Sequence, residues 1–199
     1  MTLFAKVFTL VLLLLSGCVS TTMQYATVQT LVPAVPGKAQ VVFLRSSSVG
    51  SQTRASLYDV TSGNPFFIGI ITNNTKVRHL TDPGKRIFMV VSEAVDFLQA
   101  ELTEGRTYYG LVAPRMEAGE ARFSLYPIKK DPASMFSTAS PEFAVWLADT
   151  KLVENTPESE QWARDNHKEV QEKYHEYWPK WPTKTLAEKK LTLRPDDGE

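Results

Sequence analysis

The sequence predicts a mainly β protein: an antiparallel β-sandwich of about seven or eight strands, followed by a C-terminal helical extension. Three observations point there. Between Lys38 and Lys130, short runs of β-branched and aromatic residues recur, each bounded by turn residues. Apolar and polar side chains alternate within those runs. Helix start signals occur only after Pro132. Composition fits a folded chain, since 43% hydrophobic and 22% charged residues among 199 exclude disorder and collagen. A single Cys excludes a disulfide framework. With 22 Lys+Arg against 22 Asp+Glu, no basic excess recruits nucleic acid.

The first residues stand apart from the sandwich. Lys6 is the only charged residue before Lys38, and the apolar run Val7–Leu15 follows it, leading into Ser16-Gly17-Cys18. At about 1.5 Å per residue this run is too short to cross a ~30 Å hydrocarbon core. A basic start, a short apolar segment and small residues describe a secretory signal peptide over residues 1–17. Leu15-Ser16-Gly17-Cys18 resembles the lipobox of bacterial lipoproteins. The resemblance implies cleavage before Cys18 and acyl chains on its sulfur, a step that needs a thiolate because a Ser hydroxyl is a poor nucleophile at mild pH. Acyl burial gains about 0.8 kcal/mol per methylene, so two or three chains anchor durably where one does so marginally. Val19, in place of an Asp, favours the outer membrane and its periplasmic leaflet within that resemblance.

Residues 18–37 are polar, punctuated by Pro33 and Pro36, and read as a flexible tether after the lipidated Cys. The body, 38–131, holds the candidate strands Gln40–Arg45, Arg54–Thr61, Phe66–Thr72, Lys76–Thr81, Lys85–Glu93, Phe97–Thr103, Arg106–Ala113 and Ala121–Ile128. In the last, Ala121, Phe123 and Leu125 share one face, opposite Arg122, Ser124 and Tyr126. Ile87-Phe88-Met89-Val90-Val91 is apolar on both faces, as a central strand would be. Asp82-Pro83-Gly84 fits a turn, and Thr103-Glu104-Gly105-Arg106 fits a tight hairpin whose Gly takes a positive φ.

Two helices are predicted in the extension, 132–199. Ser140-Pro141-Glu142 supplies a cap, a Pro at the first position and an acid near the positive end of the dipole, opening a helix over Pro141–Asp149. Thr156-Pro157-Glu158 repeats the signal for a longer helix ending near Trp178, and the last 18 residues read as extended. Trp162, Tyr174, Tyr177, Trp178 and Trp181 form an aromatic stripe on this tail. Such a stripe serves either to dock the helix on the sandwich or to bind a partner, since Trp and Tyr bury large areas with little rotamer loss.

Within the body, Val42-Phe43-Leu44-Arg45, Ile68-Gly69, Pro83-Gly84-Lys85-Arg86-Ile87-Phe88-Met89 and Glu104-Gly105-Arg106-Thr107-Tyr108-Tyr109 occur in order. Together they resemble a family of bacterial lipoproteins whose domain, of unknown function, is similar to the PEGA type of β-sandwich. The resemblance covers roughly residues 38–130 and implies a fold and an envelope location but no activity. The Trp-bearing tail is a departure from it.

Chemistry-bearing motifs are scarce. His-Glu-x-x-His, Gly-x-Ser-x-Gly and the phosphate-binding Gly-x-x-x-x-Gly-Lys-Ser/Thr do not occur. His79 reads as a strand-end polar group, and His167 and His175 lie eight apart, about 80° around a helix, a poor pair for one metal. The expectation is a non-enzymatic protein without cofactor or metal. It would be held at the membrane through Cys18 and would bind an envelope protein or cell-wall partner through its aromatic tail or an open sheet edge. The alternative is an envelope hydrolase or sugar-binding protein whose site is assembled from loops.

Overall fold

The computed structural model describes residues 23–47, 49–50, 53–117, 120–183 and 192–199. Residues 1–17, expected as a signal peptide, and Cys18 lie outside them. Every strand expected from alternation is present: β2 (Ala39–Arg45), β3 (Ala55–Asp59), β4 (Phe66–Ile71), β5 (Thr75–Thr81), β6 (Gly84–Val91), β7 (Val95–Leu102), β8 (Thr107–Glu117) and β9 (Glu120–Ile128). Three short strands join them: β1 (Gln24–Tyr25), β10 (Lys151–Glu154) and β11 (Thr192–Leu193). They form two sheets, of order β1-β10-β5-β2-β8-β9 and β11-β7-β6-β3-β4.

The sheets are mixed, which corrects the antiparallel expectation. β2 pairs parallel with β8, β10 with β5, and β11 with β7. Chain routing is the reason. After β5 the chain crosses to the second sheet for β6 and β7, then returns to lie beside β2 in the same direction. Thr103–Arg106 is therefore a crossover between sheets and not a hairpin, although Gly105 does take φ +75°.

Period-two patterning sorts each strand between two environments. Ala39, Val41 and Phe43 of β2 face inward and meet Leu57 of β3, Phe88 and Val90 of β6 and Leu98 of β7 in one core between the sheets. Phe43 and Phe88 touch across it edge to face, 5.3 Å between centroids. The alternate residues also find cover. Val42 and Leu44 of β2 pack outward with Tyr109, Leu111 and Ile128 under Phe143. Met89, Val91, Val95 and Phe97 of the second sheet pack outward under Val170, Tyr174 and Trp181. The protein thus has four layers, with helical cover on both outer faces.

Helix α1 (Pro141–Asp149) starts where predicted, with the Ser140 hydroxyl accepting from Phe143 N at 3.2 Å. Its carboxyl end is closed by buried Lys76, whose Nζ donates to Leu147 O and Thr150 O at 2.8 and 2.9 Å. The longer predicted helix is two: α2 (Pro157–Asp165) and α3 (His167–Tyr177), followed by a 3-10 turn over Trp178–Thr183. Asn166 breaks them, with φ −96° and ψ 0°, its side-chain amide donating to Trp162 O at 2.8 Å.

Residues 192–199 are not a loose extension. Leu193 is fully buried in the inter-sheet core. Thr107 N donates to Glu199 O and Glu199 N to Thr107 O, at 2.9 and 3.0 Å, and the Tyr108 hydroxyl donates to Pro195 O. The extension expected over 132–199 accordingly contributes strands to both sheets, β10 to the first and β11 to the second.

Candidate functional site

The segment after Met23 is built into the body, where a free tether was expected over 18–37. Met23 is the peg. A Cβ on Gly69 would lie 2.8 Å from Met23 Cε and 3.1 Å from Val77 Cγ1, so the missing side chain of Gly69 is the slot that Met23 fills. Ile70 N also donates to the Met23 sulfur at 3.4 Å. Gln29 then brackets β10, its Nε2 donating to Leu152 O at 3.1 Å and its Oε1 accepting from Leu152 N at 2.8 Å. A side-chain amide here does what a neighbouring strand would do. Leu31 turns in against the outer core, Gln40 Nε2 donates to Val32 O at 3.0 Å, and Gly37 N donates to Glu104 Oε1 at 2.7 Å. Residues 23–37 form a strap that starts at the core between the sheets with Met23, runs along β10 and reaches the outer face of the first sheet at Leu31.

With its backbone held, the strap leaves apolar side chains outside: Val28 is 62% exposed, Val32 45% and Val35 46%. Met23, Val28 and Val32 line a cleft of about 510 Å³ together with Ile68, Arg78 and Leu152. Leu80, also exposed, stands opposite Gln40 in the β5–β2 register, beside the point where Gln40 holds Val32.

The aromatic stripe lies on the other side of the molecule, on the outer face of the second sheet. Phe97 of β7 is its centre, with Trp178, Trp181 and Tyr174 at 5.2, 5.5 and 6.2 Å between ring centroids. Tyr174 and Trp181 are buried, and Trp178 stacks on Tyr174 at 5.9 Å. Trp162 meets Phe67 of β4 at 6.2 Å, and the half-buried Tyr177 ring lies under Lys180 Nζ. The ion pairs Lys173–Glu169 and Lys180–Glu176 run along this helical segment, so aromatic packing supplies the grip on the sheet.

His79 faces inward with a carboxylate for company. Its Nε2 lies 3.6 Å from Asp59 Oδ2, and the ring sits between Phe66 and Phe88, each 6.1 Å away. Asp59 also accepts from Thr61 N, Thr61 Oγ1 and Thr81 Oγ1. Burial alone would raise the Asp59 carboxyl; the hydrogen bonds from His79 and Thr61 and the His79 charge outweigh it and hold it below the ordinary value. Both oxygens are engaged within the fold, which is the geometry of a pair that fixes strand ends. His167 and His175 are exposed on α3. No group of three or more metal-ligating side chains occurs among the described residues.

The sheet edges are blunted, which bears on the open edge expected as a partner site. β1 and β11 are two residues long. On β4, Asn155 Nδ2 donates to Ile68 O at 3.0 Å while Met23 takes Ile70 N. On β9, Leu125 N donates to Asp96 Oδ2 at 3.1 Å.

Sequence reasoning missed Met23, Gln29 and Arg45. Gly69, set between two Ile residues, was the available signal for the first, because Gly inside a strand marks a close approach. Arg45 ends the candidate strand Gln40–Arg45, and its charge gives no sign of burial. It is fully buried, donating to Gly50 O at 2.6 Å and Thr53 O at 2.7 Å with its guanidinium 4.0 Å over the Phe123 ring. Burial lowers it to about 10. It closes the loop after β2. A scan against protein-family models finds no match to this chain, and a search of curated proteins finds none either.

Proposed function

We propose that the chain is a lipid-anchored envelope protein, held at the periplasmic face of a bacterial outer membrane through acyl chains on Cys18, and that it works there as a non-enzymatic binding or scaffold module. The observation that carries the reading is Leu15-Ser16-Gly17-Cys18 at the end of a short apolar run near the start of the chain. The strap supports it. Cys18 precedes the fixed Met23 by only five residues, an arrangement that suits a body carried close to a bilayer. The PEGA-like reading of the body belongs to the same proposal, as does the envelope protein or cell-wall polymer that it would hold.

Cys18→Ala tests the anchor. Wild-type protein is expected in the membrane fraction and resistant to salt and alkaline extraction. The variant is expected to accumulate as a longer precursor without incorporated fatty acid. Normal processing of the variant, with unchanged fractionation, would refute the proposal.

A further inference from the structure

We infer that the strap face is the side of the body that meets the bilayer, with Val28, Val32 and Leu80 beside Arg78 at the level of the lipid headgroups. This inference rests on acylation of Cys18 and extends it by assigning an orientation and a contact surface.

Four observations carry it. Nine large apolar side chains are exposed among the described residues; of these Val28 and Val32 line one cleft with Arg78, and Leu80 follows Arg78 by two residues on the same face of β5. Those valines cannot turn inward, because the backbone beside them is tied to Leu152, Gln40 and Glu104 while Leu31 occupies the inward position. The tether is short. Five residues from Cys18 to Met23 reach at most ~18 Å when fully extended, and Met23 lines the same cleft as Val28 and Val32. A lipid on Cys18 therefore brings this face to the membrane before any other. Charge agrees with that direction. On the opposite sheet, α2 and α3 carry six carboxylates (Glu158, Glu160, Asp165, Glu169, Glu172, Glu176) against three cations (Arg164, Lys168, Lys173), and anionic lipid repels such a surface. On the strap face, Arg78 reaches a phosphate while its stem lies among apolar neighbours, and Glu154 across the cleft is engaged by the Gln24 amide at 2.9 Å.

The test uses acylated full-chain protein extracted from membranes and reconstituted into vesicles of phosphatidylethanolamine and phosphatidylglycerol. Cys18 is the only cysteine, so Val32→Cys adds one free thiol for an environment-sensitive nitrobenzoxadiazole label. Lys168→Cys on α3 serves as the control. The expected result is a blue-shifted label at position 32 that shallow nitroxide lipids quench severalfold more than the label at position 168. Adding Val28→Glu and Leu80→Glu is expected to abolish that difference while the protein stays with the vesicles. Equal quenching at the two positions, or quenching at 32 that survives both glutamates, would overturn the orientation and leave the anchor standing. Two labels per chain, with release from the vesicles, would mean an unacylated Cys18 and would overturn both.

Discussion

Gly69 and Met23 show how one absent side chain sets the position of a whole segment. The slot is as wide as a Met terminus because β4 carries no Cβ at that point, and a methyl group there meets Met23 Cε at 2.8 Å. Gly69→Ala is expected to leave the sheets intact, to expel Met23, and to destabilise the protein by about 1–2 kcal/mol. Limited proteolysis checks it: cleavage between residues 23 and 38 rises several-fold, while the body resists. Asp59 supplies a second test. Its carboxyl is held below the ordinary value of 3.8, so its contribution to stability is complete above that pH and is lost as pH falls through the lower folded value. Asp59→Asn is expected to flatten the acid limb of a stability–pH profile below about pH 4. An unchanged profile would show that the His79 and Thr61 contacts do not favour the charged form. At this scale the sequence was least informative. Arg45 and Lys76 have the charge of surface residues, and only the carbonyls that surround them, from the loop after β2 and the end of α1, explain their burial.

At the scale of elements, alternation was a sound guide to the strands that reach across a sheet, and a poor one to those that do not. β2 through β9 each have five or more residues, enough for period two to register. β1, β10 and β11 have two to four, and their pairing is imposed by neighbours: β10 by Thr75–Val77, β11 by Gln99–Ala100. Strand direction was equally hidden. Thr103–Arg106 has the residues of a hairpin turn, yet it joins different sheets, because turn chemistry fixes local φ and not the partner of the next strand. The helix caps were legible, since Ser140 and Thr156 satisfy backbone donors within three residues. The aromatic stripe makes a prediction of its own. Trp181→Ala removes a buried ring from the contact with Phe97 and is expected to lower unfolding free energy by about 3–5 kcal/mol in denaturant titration. Stability unchanged within error would instead assign Trp181 to an external contact.

Across the whole molecule, segments far apart in the chain pack on the same two sheets. Met23 packs on the core between the sheets and Leu31 on the outer face of the first, α2 and α3 cover the second, and residues 192–199 return through the core to bond β8. Composition changes at residues 37 and 131, while packing also joins distant segments such as Gln29 with Leu152. The candidate anchor rests on a local motif, Leu15-Ser16-Gly17-Cys18. The strap face was not, since its exposed valines acquire meaning only beside Leu80 and a fixed Met23. Intact-mass measurement of the protein extracted from membranes tests acylation of Cys18 most directly. The expected chain begins at Cys18 and carries the added mass of a diacylglycerol group on that residue. A chain with an unmodified sulfur at Cys18, or one still bearing residues 1–17, would contradict it.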